Sequence, residues 1–167
     1  FGEAKGSNMR QFIKSAIAAA TLVAVPVTSA QAACWSETAV NAAKVRDMET
    51  MLMVSALRCR VADASILGAY NNFVRTSRPA LTQVNNTLRT QFASQGGLNA
   101  YDRYVTSIAN RYGAGAEGLS CTDMASILSA ARAEGGSLVG LTRLADDAGV
   151  EPVLTGGRCK VALVVRK

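Results

Sequence analysis

Between Ser36 and Arg60 the chain contains neither glycine nor proline, and a cysteine stands near each end of that stretch, Cys34 and Cys59. Ser36 supplies an N-cap hydroxyl for the free amides of a first turn. Val45, Met48, Leu52, Ala56 and Cys59 recur at the three-and-four spacing of one helix face. From Met51 to Leu57 apolar residues run nearly all round, the pattern of a central, largely buried helix. A helix of that length separates Cys34 from Cys59 by about 25 residues, or roughly 37 Å at 1.5 Å per residue. A disulfide requires Cα atoms within about 7 Å. The long helix therefore excludes the 34–59 bond, and with it the 121–159 bond.

Whether these cysteines pair at all depends on the compartment, and the front of the chain bears on that. Residues 1–8 precede the first methionine and read as upstream or non-native sequence. From Met9, the basic start at Arg10 and Lys14, the uncharged run from Ser15 to Val25, and Ala30-Gln31-Ala32 have the three parts of a secretory signal. The apolar run is short of the roughly 20 residues a spanning helix needs, so cleavage between Ala32 and Ala33 is expected rather than an anchor. A lipid anchor on Cys34 is the alternative. Ala32 and Ala33 suit it, but Gln31 stands where a bulky aliphatic residue belongs, and lipidation would leave three cysteines.

Four cysteines in an exported chain imply two disulfides. With helices running up and down, the end of the first helix and the segment opening at Ser120 share one end of the bundle. That favours Cys59–Cys121 and Cys34–Cys159 over the other surviving pairing, 34–121 with 59–159.

The remainder reads as further helices. Ile66, Tyr70, Phe73, Leu81, Val84, Leu88 and Phe92 keep one phase across Pro79. This predicts one kinked helix, or two end to end with Ser77 capping the second, bent near Arg75–Pro79. Gly96-Gly97 closes that unit. Asn99 is the expected cap of the next helix, whose stripe is Tyr101, Tyr104, Val105, Ile108 and Tyr112, ending at Gly113. Ser120-Cys121-Thr122-Asp123 resembles a capping box, and Ser137 opens a last helix to about Ala148. Pro152–Val165, around Gly156-Gly157, reads as a hairpin. The expected fold is thus a mainly α, disulfide-stapled bundle of about five helices with a short C-terminal β-hairpin (about 152–165). It occupies residues 33–167 as one domain, after a signal peptide at 9–32.

Composition narrows the chemistry. There is no histidine, which removes Ser-His-Asp and Cys-His triads and the usual proton shuttle near neutral pH. Three of the 18 Lys and Arg and one of the 12 Asp and Glu precede residue 33, leaving a scattered net charge of about +4. Clustered bases with aromatic platforms would be expected of a nucleic-acid reader. Gly113 to Gly118 matches G-x-G-x-x-G, but it follows a helical stripe instead of a strand and reads as a loop. Met48, Met51 and Met53 could suggest Cu(I), yet only two share a face and core filling suits them better. Trp35 reads as a residue packing the helix entry. Glu37, Glu49, Asp63, Asp102, Glu117, Asp123, Glu134, Asp146, Asp147 and Glu151 are available for carboxylate chemistry, but no spacing pairs them. Asp47 and Glu49 lie beside Arg46 on the first helix.

The signal and the cysteine-bounded helices resemble small exported helical proteins of Gram-negative bacteria. That resemblance implies a periplasmic or extracellular helical domain and carries no activity with it. The expectation is a non-catalytic binding or structural module of the cell envelope, with an envelope component or another protein as partner. No cofactor, metal, nucleic acid or transmembrane segment after signal removal is expected. A histidine-free cell-wall hydrolase with paired carboxylates, or a lipid-binding or lipid-anchored envelope protein, is the alternative. Intact-mass measurement on the exported protein should show an unmodified N-terminus at Ala33; a lipid mass on Cys34 would contradict this.

Overall fold

A computed structural model describes residues 34–114 and 120–160. The proposed cleavage point at Ala32 and Ala33 lies outside them, as does the stretch from Gly115 to Leu119. Six helices follow in order: α1 (Glu37–Cys59), α2 (Ser65–Thr76), α3 (Arg78–Ala93), α4 (Gly97–Gly113), α5 (Cys121–Ala133) and α6 (Leu138–Asp147). The Ser36 side chain accepts from the Ala39 amide and opens α1. With hydrophobic residues on every side, α1 is satisfied only by neighbours all round. It touches each of the other five helices. Val40, Ala43, Val45, Met48, Leu52 and Ala56 are at or near zero exposure. Small residues at 39, 42, 43 and 56 let the surrounding helices approach closely.

The phase running across Pro79 belongs to two helices, which makes the total six where about five were expected. Pro79 lacks the amide that would bond Arg75, and the chain bends at Ser77 (φ −91°, ψ 5°). The Ser77 hydroxyl does not cap α3; it is buried with no hydrogen-bond partner. Nor is Asn99 the cap of α4. The helix starts three residues earlier, because Gly96 (φ +104°) and Gly97 (φ +64°) adopt left-handed conformations that turn the chain directly into it. The capping box at Ser120 is present in full. Its hydroxyl accepts from the Asp123 amide, and the Asp123 carboxylate accepts from the Ser120 amide. Donation to it from the Ser120 amide, and next from the Ser120 hydroxyl, holds the Asp123 carboxyl below its ordinary range. Ser137 caps α6 through the Gly140 amide. Asp63, which sequence inspection left without a role, accepts from the Ser65 amide and so caps α2.

The C-terminal hairpin does not form among the described residues. Gly156 (φ +88°) and Gly157 (φ +69°) make the expected turn, with the Gly157 amide donating to Leu154. The strand partner is Trp35, however, in a single parallel bridge to Arg158. Residues 161–165, the rest of the predicted second arm, lie outside the described residues. Two isolated strands are marginal in water, whereas the bond from Cys159 to Cys34 brings the Trp35 backbone alongside. The Trp35 amide donates to Gly157 and the Cys159 amide to Trp35, each at 2.9 Å, and the Trp35 indole donates to Thr155 at 3.0 Å.

Cys34–Cys159 and Cys59–Cys121 are bonded, with no free cysteine among the described residues. These are the pairs that the length and direction of the first helix favour. Two disulfides suggest an oxidising, exported location. No helix of the described residues is long and apolar enough to cross a membrane.

The turn joining α5 to α6 is pressed against the α2–α3 bend. A Cβ on Gly136 (φ +77°) would lie 2.5 Å from the Thr76 carbonyl oxygen and 3.0 Å from the Ser77 Cα. Gly135 (φ +59°) faces open space. Gly135→Ala should therefore cost about 1–2 kcal/mol, the left-handed penalty alone, and Gly136→Ala measurably more. Denaturant midpoints of the two variants compare them directly.

Candidate functional site

The core helix carries four charged side chains within six positions, and each reaches a different direction. Lys44 pairs with Asp146 on α6. Arg46 donates to Glu49 at 2.5 Å and to the Asn85 side-chain oxygen (Oδ1) on α3, which also accepts from the Tyr101 hydroxyl of α4 at 2.7 Å. Asp47 has no exposure and takes hydrogen bonds from Arg111 and from the Tyr112 hydroxyl (2.5 Å), both on α4. Glu49 accepts from Tyr70 of α2 at 2.8 Å. Burial first, and the adjoining carboxylate next, push the Tyr70 and Tyr112 phenols well above their ordinary range. Burial and the charge of Asp47 do the same for Tyr104. The Tyr70 and Tyr112 phenols are donors to anions, not acids poised to ionise.

This arrangement bears on carboxylate chemistry. Asp47 and Glu49 are each matched by an arginine and a tyrosine, so they are structural partners instead of a facing acid and base. Of the remaining acids, Asp63 and Asp123 cap helices, Glu134 pairs with Arg143 at 3.0 Å, Asp146 with Lys44, and Glu151 lies 4.0 Å from Arg158. Glu37 occupies the first turn of α1, Asp102 and Asp147 are exposed, and Glu117 lies outside the described residues. Met48 and Met51 are core residues and Met53 packs against the core. Gly113 ends α4, so the glycine-rich stretch begins at a helix terminus without a strand before it.

The concave surface of interest lies where α3, α4 and the C-terminal segment meet. Trp35, 1% exposed, is its floor. Phe92 packs edge-on against the Trp35 ring at 5.5 Å, and Tyr104 lies 5.8 Å from Trp35 and 5.2 Å from Phe92. Around this cluster is a cleft of about 430 Å³, with Gln95, Arg103 and Ser107 on the helical side and Val153, Thr155 and Gly156 on the other. A recess of about 220 Å³ adjoins it at Tyr104, Ser107 and Val153, and reaches Ile108 and Arg111. Its lining is mostly apolar, and no acidic side chain contributes to either part. The Tyr104 hydroxyl is buried without a hydrogen-bond partner. Among the described residues Arg103 is exposed and has no ion-pair partner, whereas Arg111 is engaged by Asp47. A third, wider groove of about 830 Å³ runs past the Cys34–Cys159 bond and is lined by Ser36, Thr38, Asn86, Thr87 and Gln91 among other uncharged polar groups.

Sequence reasoning had Trp35 as a packing residue and the tyrosines of α4 as a stripe. It missed that they form one cleft with residues 153–156, because that wall depends on which cysteine Cys34 takes. The balanced block Lys44, Arg46, Asp47, Glu49 inside an otherwise apolar helix was the available signal for the buried network. No protein family, no curated protein and no solved structure matches the chain.

The Asp47–Arg111 pair is asymmetric: Asp47 is fully enclosed and the Arg111 side chain is 37% exposed. Arg111→Met strands a buried carboxylate and should cost about 3–5 kcal/mol. Asp47→Asn keeps a hydrogen-bonding side chain and lets Arg111 turn to water, so it should cost about 1 kcal/mol. Urea unfolding of the two variants tests the order.

Proposed function

We propose that the mature chain is a non-catalytic binding module of the extracytoplasmic envelope, periplasmic or secreted, whose site is the cleft over Trp35, Phe92 and Tyr104. The observation that carries this reading is an aromatic-floored cleft within the size range of small-molecule sites, with a single unengaged cation at its rim. The ligand this chemistry fits is a small amphipathic anion, an apolar ring or branched chain bearing a carboxylate. Its body lies on the ring cluster and its charge meets Arg103. The net positive charge of the mature chain favours the approach of such anions.

The competing classes place different demands on the molecule. A hydrolase with paired carboxylates calls for two acids facing each other across a polar cleft, and the acids that are buried here are neutralised by arginines. Lipid storage calls for a closed apolar cavity, and the cleft is an open surface groove. The rigidity conferred by two disulfides suits a preformed site, since a site already ordered loses less on binding.

Trp35 is the only tryptophan in the sequence, so its emission reports directly on the cleft. Titration with 3-phenylpropanoate should change Trp35 fluorescence saturably, and 3-phenylpropanamide, the uncharged analogue, should bind more weakly. Arg103→Gln should weaken the acid by about tenfold, the value of one charge-assisted hydrogen bond, and leave the amide unaffected. Equal affinity of wild type and Arg103→Gln for the acid, or no saturable change with either compound, would overturn the reading.

A further inference from the structure

The two disulfides have different surroundings. Cys59 is 2% exposed and joins the end of α1 to the start of α5, both packed in the bundle. Cys159 is exposed, and its bond to Cys34 borders the 830 Å³ groove. That groove contains no acidic side chain, so nothing lining it repels an approaching thiolate. The bond also holds something distinct. Val150, 4% exposed, is anchored to Ala145 by its amide at 2.9 Å. From Glu151 to Lys160 no residue is buried; Pro152 and Leu154 are half-buried, and residues 155–160 are all exposed. Three hydrogen bonds join this stretch to Trp35. Hydrogen bonds exchanged for bonds to water contribute only modestly to net stability, and here the disulfide supplies the high local concentration that keeps them formed.

We propose that the Cys34–Cys159 bond is a redox-sensitive latch that holds residues 151–160 as the outer wall of the Trp35 cleft, with a dithiol reductant as its partner. The proposal rests on the cleft being the ligand site only in its consequence for binding; the opening itself is read from Trp35. A thiolate of the dithiol attacks the sulfur of the exposed residue Cys159, the Cys34–Cys159 bond breaks, and Cys34 leaves as a thiolate that takes up a proton. The second thiol of the reductant, as its thiolate, then attacks the reductant sulfur in the mixed disulfide. Cys159 is released as a thiolate and protonated, and the reductant departs as its own disulfide. Two electrons pass to the protein, and the wall that includes Val153, Thr155 and Gly156 is no longer tied to Trp35. The Cys59–Cys121 bond and the six helices are untouched by this step.

The test uses the full mature chain with both disulfides formed, treated with graded dithiothreitol, then alkylated and mapped by mass. Cys34 and Cys159 should be labelled before Cys59 and Cys121. At that point Trp35 emission should move to the red, iodide should quench it more strongly, and the far-ultraviolet helical signal should be retained. Where the oxidised protein binds 3-phenylpropanoate, the affinity should fall about tenfold or more. The Cys34→Ser, Cys159→Ser double variant should match the half-reduced protein without any reductant. Simultaneous opening of both bonds, unchanged Trp35 emission after selective labelling, or loss of helix on opening would each overturn the latch. If oxidised protein fails to bind the probe, the ligand reading fails while the Trp35 emission still decides the latch.

Discussion

The arrangement of this bundle depends on charge buried in its central helix. At about 100° per residue, Lys44, Arg46, Asp47 and Glu49 fall at roughly 0°, 200°, 300° and 140° round α1, so they face all sides of a helix that is itself surrounded. An apolar helix of this kind would accept neighbours in several orders, since hydrophobic contact is not directional. Each of these charges, Arg46 half-buried and the others buried, removes that freedom by demanding a particular partner: Asp146 on α6, Asn85 on α3, Arg111 and Tyr112 on α4, Tyr70 on α2. A buried pair yields little net stability over an apolar one, but breaking one partner leaves an enclosed charge at high cost. Misordered packings are disfavoured for that reason, and the polar network acts on specificity more than on strength.

The disulfides complete what the network begins. One closes the far end of α1 onto α5, and the other closes the near end onto the C-terminal segment. Among the described residues α5 touches α1 without a charge pair to it, so Cys59–Cys121 supplies the tie the polar network omits. Cys34–Cys159 does something further. By drawing residues 155–159 against Trp35 it converts what would be an exposed indole on the helix ends into the floor of a cleft. The proposed ligand site and its proposed control therefore share one covalent bond.

The apolar phases, the caps at Ser36, Ser120 and Ser137, the bend at Pro79 and the exclusion of a 34–59 bond were all legible because they are local. Helix periodicity, capping and chain length act within a few residues or along one rigid element. The cap of α4 at Gly96 and the capping role of Asp63 were missed although they too are local. Asn99 offered a commoner signal than two left-handed glycines, and Asp63 sits one residue outside the usual cap position. The hairpin was misread for a different cause. Its first arm has strand character, but a strand takes its partner from whatever backbone lies beside it, and that was decided by Cys34.

By itself, then, the sequence determined a histidine-free, helix-rich chain with two cross-links, a buried first helix and a basic surface, since composition and periodicity are properties of neighbouring residues. Only the tertiary structure decided that Asp47 and Glu49 are neutralised partners instead of acids facing a cleft. It also decided that Trp35, Phe92 and Tyr104, distant in the chain, form one floor, and that residues 153–156 wall it. Electrostatic pairing and concavity depend on distances in space between elements, and these follow from packing around α1.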